Sequence, residues 1–493
     1  MVAPVTPIRF IVLSDLHFGA ENSLMTSVVE HPPGESSAAV SEAAGPEPYE
    51  PAPRTPSPVL VAVTDALRTL VERQEDPPTL ILAGDVLDLA LSSDAVAAMA
   101  FEGFVDAAFG QTPRLFANTV YYLPGNHDHH LWESAREAQY ISYVEELSRG
   151  APIGEPWHVT GLLPSSLRPT RGGLIEALIR RRAGGEDVTV QVAYPNLALL
   201  TADGRRCRVV SHGHFSEPIY TLMSQIRDLL FPEQRDPAGL SIAGLEAENF
   251  AWIDFFWSTL GRSGEVGSDV GLVYADLSSA ADLNELSSTL VHSLVARNHG
   301  PHWLRPVESA ILTAITRREV NHLARSERGT PGQTLSAKNE SGLRLYLEGP
   351  VRRQMVEDLG GVGNDVGFIF GHTHKPFVFE RQLAGYPSPV RISNTGGWVV
   401  DTSTPAPTQG AVAVLMDDEL HTVSLQFYRQ ETSGGTEPVQ ILAAADPGDN
   451  PLHDMLVAEI DLGSGIWRAV SEQAARLIRQ RHQLQSELVR QAE

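Results

Sequence analysis

The stretch Thr79-Leu80-Ile81-Leu82-Ala83-Gly84-Asp85-Val86-Leu87-Asp88 decides how the rest of the chain is read. Its unbroken apolar run from Leu80 to Ala83 has the pattern of a short parallel strand buried on both faces. Gly84 and Asp85 then fall where the carboxyl end of that strand would lie, the place where open α/β sheets put their ligands. Alone, Gly-Asp after an apolar run is equally well a strand-to-loop turn with a solvated aspartate. Recurrence separates the two readings, because four other strand-like runs in this chain also end in His, Asp or Asn.

Upstream, Arg9 to Leu13 reads as a buried strand that delivers Ser14-Asp15-Leu16-His17, and extended alternation puts Asp15 and His17 on one side of the chain. Residues 21–57 are rich in Pro, Glu and small residues without periodicity, so a mobile surface loop is expected there. Ser57-Pro58 suits a helix start, and Leu60, Val63, Leu67, Leu70 and Val71 recur at helical spacing, making a crossover between two parallel strands. Downstream, Ser92 to Phe109 predicts a second helix. Thr119 to Leu123 predicts a third strand, ending in Pro124-Gly125-Asn126-His127-Asp128. Residues 130–182 look mainly helical. Val188 to Tyr194 and Leu197 to Leu200 read as strands, with a turn at Ala202-Asp203-Gly204-Arg205 and a return strand ending in Ser211-His212-Gly213-His214. A largely helical insertion is expected over 215–362. Val366 to Phe370 then delivers Gly371-His372-Thr373-His374. Short strands at 378–381, 390–393, 398–400, 411–415 and 421–428 would extend or complete a second sheet, followed by a linker over 431–451 and a polar amphipathic helix from Ile466 to Arg490.

Composition narrows the function. A chain of 493 residues exceeds the size of about 250–300 residues at which single cores stop growing, so it holds several units or one elaborated domain. With 37 Lys+Arg against 61 Asp+Glu, the formal charge of -24 opposes a phosphate backbone and argues against nucleic acid as a partner. The single cysteine, Cys207, excludes an intramolecular disulfide framework. The N-terminal residues lack a charged region followed by an apolar one, and no run of about 18 apolar residues occurs, so a cytoplasmic protein without a spanning helix is expected.

In order, the strand ends read Asp15-x-His17, Gly84-Asp85-x-x-Asp88, Gly125-Asn126-His127-Asp128, His212-x-His214 and Gly371-His372-x-His374. Imidazole, carboxylate and amide oxygen without thiolate suit Mn, Fe, Zn or Co, and two such ions can clamp both oxygens of an in-line displacement at phosphorus. These blocks resemble those of the calcineurin-like metallophosphoesterase superfamily, over roughly residues 8–20, 58–128, 188–214 and 366–428.

The resemblance implies an α/β fold, a four-layer α/β/β/α sandwich of two mixed sheets flanked by helices, with a core of residues 1–214 and 363–430. The insertion of 215–362 and a C-terminal part of 431–493 would be added to it. It implies two transition-metal ions, one on Asp15, His17, Asp85 and His374, the other on Asp85, Asn126, His212 and His372. A hydroxide bridging the two ions would attack a phosphomonoester, phosphodiester or pyrophosphate, the substrate being a small phosphoester. His127 would stabilise transition-state oxygens or protonate the leaving group, with Asp88 orienting its ring. The competing reading is a non-catalytic binding module on the same fold. Within enzymes, a lipid- or nucleotide-linked diphosphate hydrolase is the narrower alternative.

Leu89 follows Asp88 where the superfamily's phosphoprotein phosphatases carry an arginine, which argues against that branch. His214 stands where the lipid-sugar pyrophosphatase branch has an aspartate, and it is a candidate, with Asn126, for lining the substrate pocket. Asp128 reads as a hydrogen-bond partner in its own loop. His129 and His130 start the next helix or sit near substrate, and His292, His299, His302 and His322 lack ligand-like spacing. In the insertion, Ile219, Leu222, Met223, Ile226, Leu229 and Leu230 form a helical stripe, read as core packing, with a cap over the metals as the sharper alternative. No basic face accompanies it, which counts against contact with an anionic membrane.

Overall fold

The computed structural model describes residues 6–30, 49–170, 173–234, 239–259, 332–442, 450–461 and 464–492. Strand β1 (Phe10–Leu13) is followed by β2 (Thr26–Glu30), β3 (Tyr49–Pro56), helix α1 (Pro58–Val71) and β4 (Thr79–Leu82). Helix α2 (Asp94–Phe109), β5 (Thr119–Tyr122), α3 (His129–Glu146), α4 (Leu174–Arg180) and β6 (Thr189–Val192) follow. β1, β4, β5 and β6 lie side by side and parallel. Ser57 accepts from the backbone of Val59 and so satisfies an otherwise open amide at the start of α1.

A second sheet is built from β7 (Asn196–Leu200), β8 (Arg206–Ser211), β9 (Asp365–Phe370), β10 (Phe377–Arg381) and β11 (Val390–Asn394), in the order β10-β11-β9-β8-β7. Strand alternation distributes its side chains and those of the first sheet between two cores. Val12, Ile81, Val210 and Ile369 fill the space between the sheets. Ile11, Leu13, Leu80, Leu82, Phe368 and Phe370 turn the other way, into a cluster that includes the helices. The architecture is therefore helix, sheet, sheet, helix.

Four parts of the chain differ from the sequence reading. β12 (Gly410–Met416) and β13 (Thr422–Gln430) join the first sheet rather than the second, because β12 pairs antiparallel with β1. Two short strands from the expected linker, β14 (Thr436–Glu437) and β15 (Gln440–Ile441), then pair with β13. The ends of the expected mobile loop form an antiparallel ribbon of β2 with β3, a setting that tolerates strand prolines because few neighbours need their amides. Residues 31–48 of that loop lie outside the described residues. Helix α3 ends at Glu146, and the path from there to α4 is mostly irregular. Pro152, Pro156, Pro164 and Pro169 each remove a helix donor there.

The described parts of the insertion are helical: α5 (Leu222–Leu230), α6 (Ile242–Ile253), α7 (Ala337–Tyr346) and α8 (Arg352–Leu359). Residues 260–331, including His292, His299, His302 and His322, lie outside the described residues. Pro350 coincides with a π-turn joining α7 to α8. Ile219, Leu222 and Ile226 are buried in the main core, and Tyr346 of α7 packs on Phe368 of the second sheet. Beyond α9 (Pro451–Glu459), the terminal helix α10 (Gly465–Ala492) lies against α1 and β13. Among the described residues, no helix is long and apolar enough to cross a membrane.

Candidate metal centre

Parallel pairing brings the strand ends to one edge. Block one is stitched to block two by bonds from the Asp15 amide to the Gly84 carbonyl (3.0 Å) and from His17 to Asp85 (2.9 Å). Block five is stitched to the others by the amides of Gly371 to His212 O (3.0 Å) and of His372 to Asp15 Oδ1 (2.9 Å). A Cβ on Gly371 would lie 2.0 Å from Asp15 Oδ2, so only glycine allows this approach.

The sequence reading placed Asp15 and His17 on one face of an extended chain. In the structure β1 stops at Leu13, and both residues lie beyond it with left-handed backbones (φ 51° and 47°). Asp85, His372 and His374 are left-handed as well, at 49°, 69° and 57°. Each such non-glycine residue costs on the order of 1–2 kcal/mol, and local strain of this kind gathers at functional sites. Five of the six described non-glycine residues with positive φ belong to the blocks, the other being Leu420.

Asp15, His17, Asp85 and His374 form one buried group, and Asp85, His212 and His372 a second, each with candidate ligand atoms within 4.8 Å of one another. Asn126 Oδ1 enters the second group, 3.0 Å from His212 Nε2 and 3.0 Å from His372 Nδ1. All seven side chains are enclosed, with exposures of 0–2%. His212 Nδ1 lies 3.1 Å from the Ala83 carbonyl and His17 Nδ1 2.8 Å from Asp88 Oδ2, so both rings turn Nε2 inward. The Asn126 Nδ2 atom is buried without a hydrogen-bond partner while its oxygen faces two imidazoles. One proton can satisfy one contact in such a set of acceptors, whereas a divalent cation at the convergence satisfies all of them. The donor set fits the ions that the sequence suggests.

Electrostatics supports the same arrangement. Burial opposes charge on Asp15 and Asp85, but the surrounding histidines outweigh it and hold Asp15 below, and Asp85 well below, the usual carboxylate range. Burial lowers His17 and favours its neutral form, the form in which an imidazole can bind a metal. Burial also works against charge on His212, yet Asp85 prevails and raises it to about 9, so a cation entering there displaces a proton.

Asp88 sits between His17 and His127, with Oδ1 3.1 Å from His127 Nδ1. It therefore contacts the His17 ring as well as the ring expected of it. The His127 amide donates to Asp85 Oδ1 (2.8 Å). Asp128 accepts from the amides of Gly125 (2.6 Å), Val86 (2.8 Å) and Asp85 (3.2 Å), fixing two blocks to each other. Burial and the Asp85 charge push it up to about 6. His214 is enclosed beside His212, with Nε2 3.2 Å from the Tyr194 hydroxyl, and burial holds it neutral. His129 starts α3 fully buried, with Nε2 2.8 Å from Glu246 Oε1 of α6, so it ties the insertion to the core.

Two carboxylates escaped the sequence reading. Asp401 Oδ2 lies 2.7 Å from His374 Nδ1, and Glu217 Oε2 lies 2.8 Å from His372 Nε2. Asp401 carried a usable signal, since it ends the apolar run Trp398-Val399-Val400 as Asp85 ends its own. Nothing local marks Glu217.

Residues 8–225 match the family model of the calcineurin-like phosphoesterases. This match and the His and Asp clusters support a likeness of this part of the chain to the metallophosphoesterase superfamily, whose members use divalent metals. Gly371-His372-Thr373-His374 lies beyond the matched residues, and the structure brings it to the same centre. No curated protein matches the chain.

Proposed function

We propose that the chain hydrolyses a phosphomonoester, phosphodiester or pyrophosphate bond with two divalent cations that share Asp85. The convergence of two buried donor sets on that carboxylate carries the reading. Asp15, His17, Asp85 and His374 would hold one ion. Asp85, Asn126, His212 and His372 would hold the other. Such a pair supplies Lewis acidity toward phosphoryl oxygen and makes hydroxide accessible near neutral pH.

The chain's own groups do the rest. Asp88 holds His127 by Nδ1 and leaves Nε2 as the atom that can meet a phosphoryl oxygen or a leaving group. The hydrogen bond that the His127 amide donates to Asp85 Oδ1 fixes the His127 backbone beside the carboxylate that the two ions would share. The enclosure of the ligands keeps bulk water from competing for them.

The test is hydrolysis of p-nitrophenyl phosphate and bis-p-nitrophenyl phosphate after reconstitution with Mn. His127→Asn is expected to retain both ions and lose about 10²–10⁴-fold in rate, the usual worth of a positioned proton donor. Asp85→Asn is expected to lose both ions and the activity while keeping the fold. A wild-type chain with two ions bound and no turnover of either compound would favour the non-catalytic binding module.

A further inference from the structure

We infer that Glu217 and Asp401 are positioning residues that fix opposite tautomers on His372 and His374, each thereby governing a different cation. The inference rests on the two-cation reading above and assigns roles to residues outside the ligand-bearing blocks.

The two histidines are separated by one residue and both adopt left-handed backbones, yet they use different ring nitrogens. His372 meets Glu217 through Nε2 at 2.8 Å and directs Nδ1 to Asn126 Oδ1 at 3.0 Å, within the group of Asp85 and His212. His374 meets Asp401 through Nδ1 at 2.7 Å and directs Nε2 toward His17 Nε2 at 3.2 Å and Asp15 Oδ1 at 3.3 Å. A carboxylate accepts, so the nitrogen beside it carries the proton and the opposite nitrogen keeps its lone pair. An imidazole in the other tautomer would turn N–H toward the cation and could not ligate it. Adjacent ligands that need opposite tautomers therefore each require their own acceptor.

The carboxylates come from separate segments, which makes their effects separable. Glu217 lies in the turns between β8 and α5, where its amide bonds to His214 O (2.9 Å) and Tyr220 of the next turn packs edge-on to His372. The insertion thus supplies part of one cation site rather than only lying over it. Asp401 lies in the loop after β11, also held by Gln409 Nε2 at 3.2 Å. Its neighbours Val400 and Thr402 are bound by Gln485 and His482 of α10. The terminal helix thereby braces the other cation site.

The test is metal titration of the full apo-chain with Mn, read as two affinities, for Glu217→Leu, Glu217→Gln, Asp401→Leu and Asp401→Asn. Losing an outer partner of a ligating histidine costs about 10–100-fold in metal affinity. Each leucine variant is expected to weaken one ion by that factor and leave the other unchanged, and the amide variants, which still accept a hydrogen bond, to lose less. A second readout needs no metal. Nitrogen NMR of the apo-chain should show the proton on Nε2 of His372 and on Nδ1 of His374, each fixed tautomer being lost only in its own leucine variant. Parallel weakening of both ions by either variant, or unchanged affinities and tautomers, would overturn the inference while leaving the two-cation reading standing. A wild-type chain that binds no ion would contradict that reading and this inference with it.

Discussion

His17 Nε2 and His374 Nε2 face each other at 3.2 Å, and the other nitrogen of each ring lies on a carboxylate, Asp88 or Asp401. If each ring gives its Nδ1 proton to its carboxylate, two lone pairs meet at that distance, and a cation between them would relieve the repulsion. Removing metal with a chelator is therefore expected to lower thermal stability, and adding Mn back to restore it in proportion to the logarithm of its concentration. At 100 times the dissociation constant one ion contributes about 2.7 kcal/mol. Calorimetry over a Mn series checks this. A melting temperature independent of Mn would count against a cation there.

Asp128 answers three backbone amides, at Gly125, Val86 and Asp85. Asp128→Ala would leave these buried donors open, at about 1–3 kcal/mol for each group that water cannot reach. We expect a loss of several kcal/mol in denaturant unfolding together with weakened binding of both ions, since Asp85 loses its backbone anchor. Asp128→Asn keeps one acceptor oxygen and should fall between the two.

His129 gives the pH dependence. Its burial disfavours charge, but Glu246 and Asp254 outweigh that and raise the imidazole to about 10. An unfolded histidine titrates near about 6.5. The folded value lies above it, so the contribution is fully present below about pH 6.5 and is lost as pH rises through about 10. It amounts to a few kcal/mol on the order-of-magnitude scale of such shifts. Urea unfolding between pH 6 and 10 should show a decline that is shallower in His129→Gln. Equal slopes would mean that the pair with Glu246 does not carry it.

Gly342 lies within α7, where alanine ordinarily gains about 1 kcal/mol over glycine. Here a Cβ would stand 2.1 Å from the Ser216 carbonyl, in the turn next to Glu217. Gly342→Ala is therefore expected to destabilise by about 1–3 kcal/mol, the range for overpacking, as read by thermal unfolding. A stabilised variant would show that α7 does not brace that turn.

The sequence displayed the strands that bear the blocks because each is a short apolar run closed by an unusual polar residue, as at Leu82-Ala83-Gly84-Asp85. Sheet membership was hidden. Every residue of Gly410–Met416 is buried, so the strand has no polar face to reveal its neighbour, and its partner β1 lies at the other end of the chain. The irregular path after α3 was hidden as well, because Trp157, Val159 and Leu162 pack into the core without helical structure. Glu217 could not be read because its role exists only through the position of His372, more than a hundred residues away.

The central claim is that two cations share Asp85, and electron paramagnetic resonance of the Mn-loaded chain tests it most directly. Two Mn ions about 3.5–4 Å apart on a common carboxylate should give an exchange-coupled multiline spectrum at two equivalents per chain, replaced by little or no bound Mn in Asp85→Asn. A single bound ion, or two ions with the uncoupled spectrum of isolated Mn, would contradict the account.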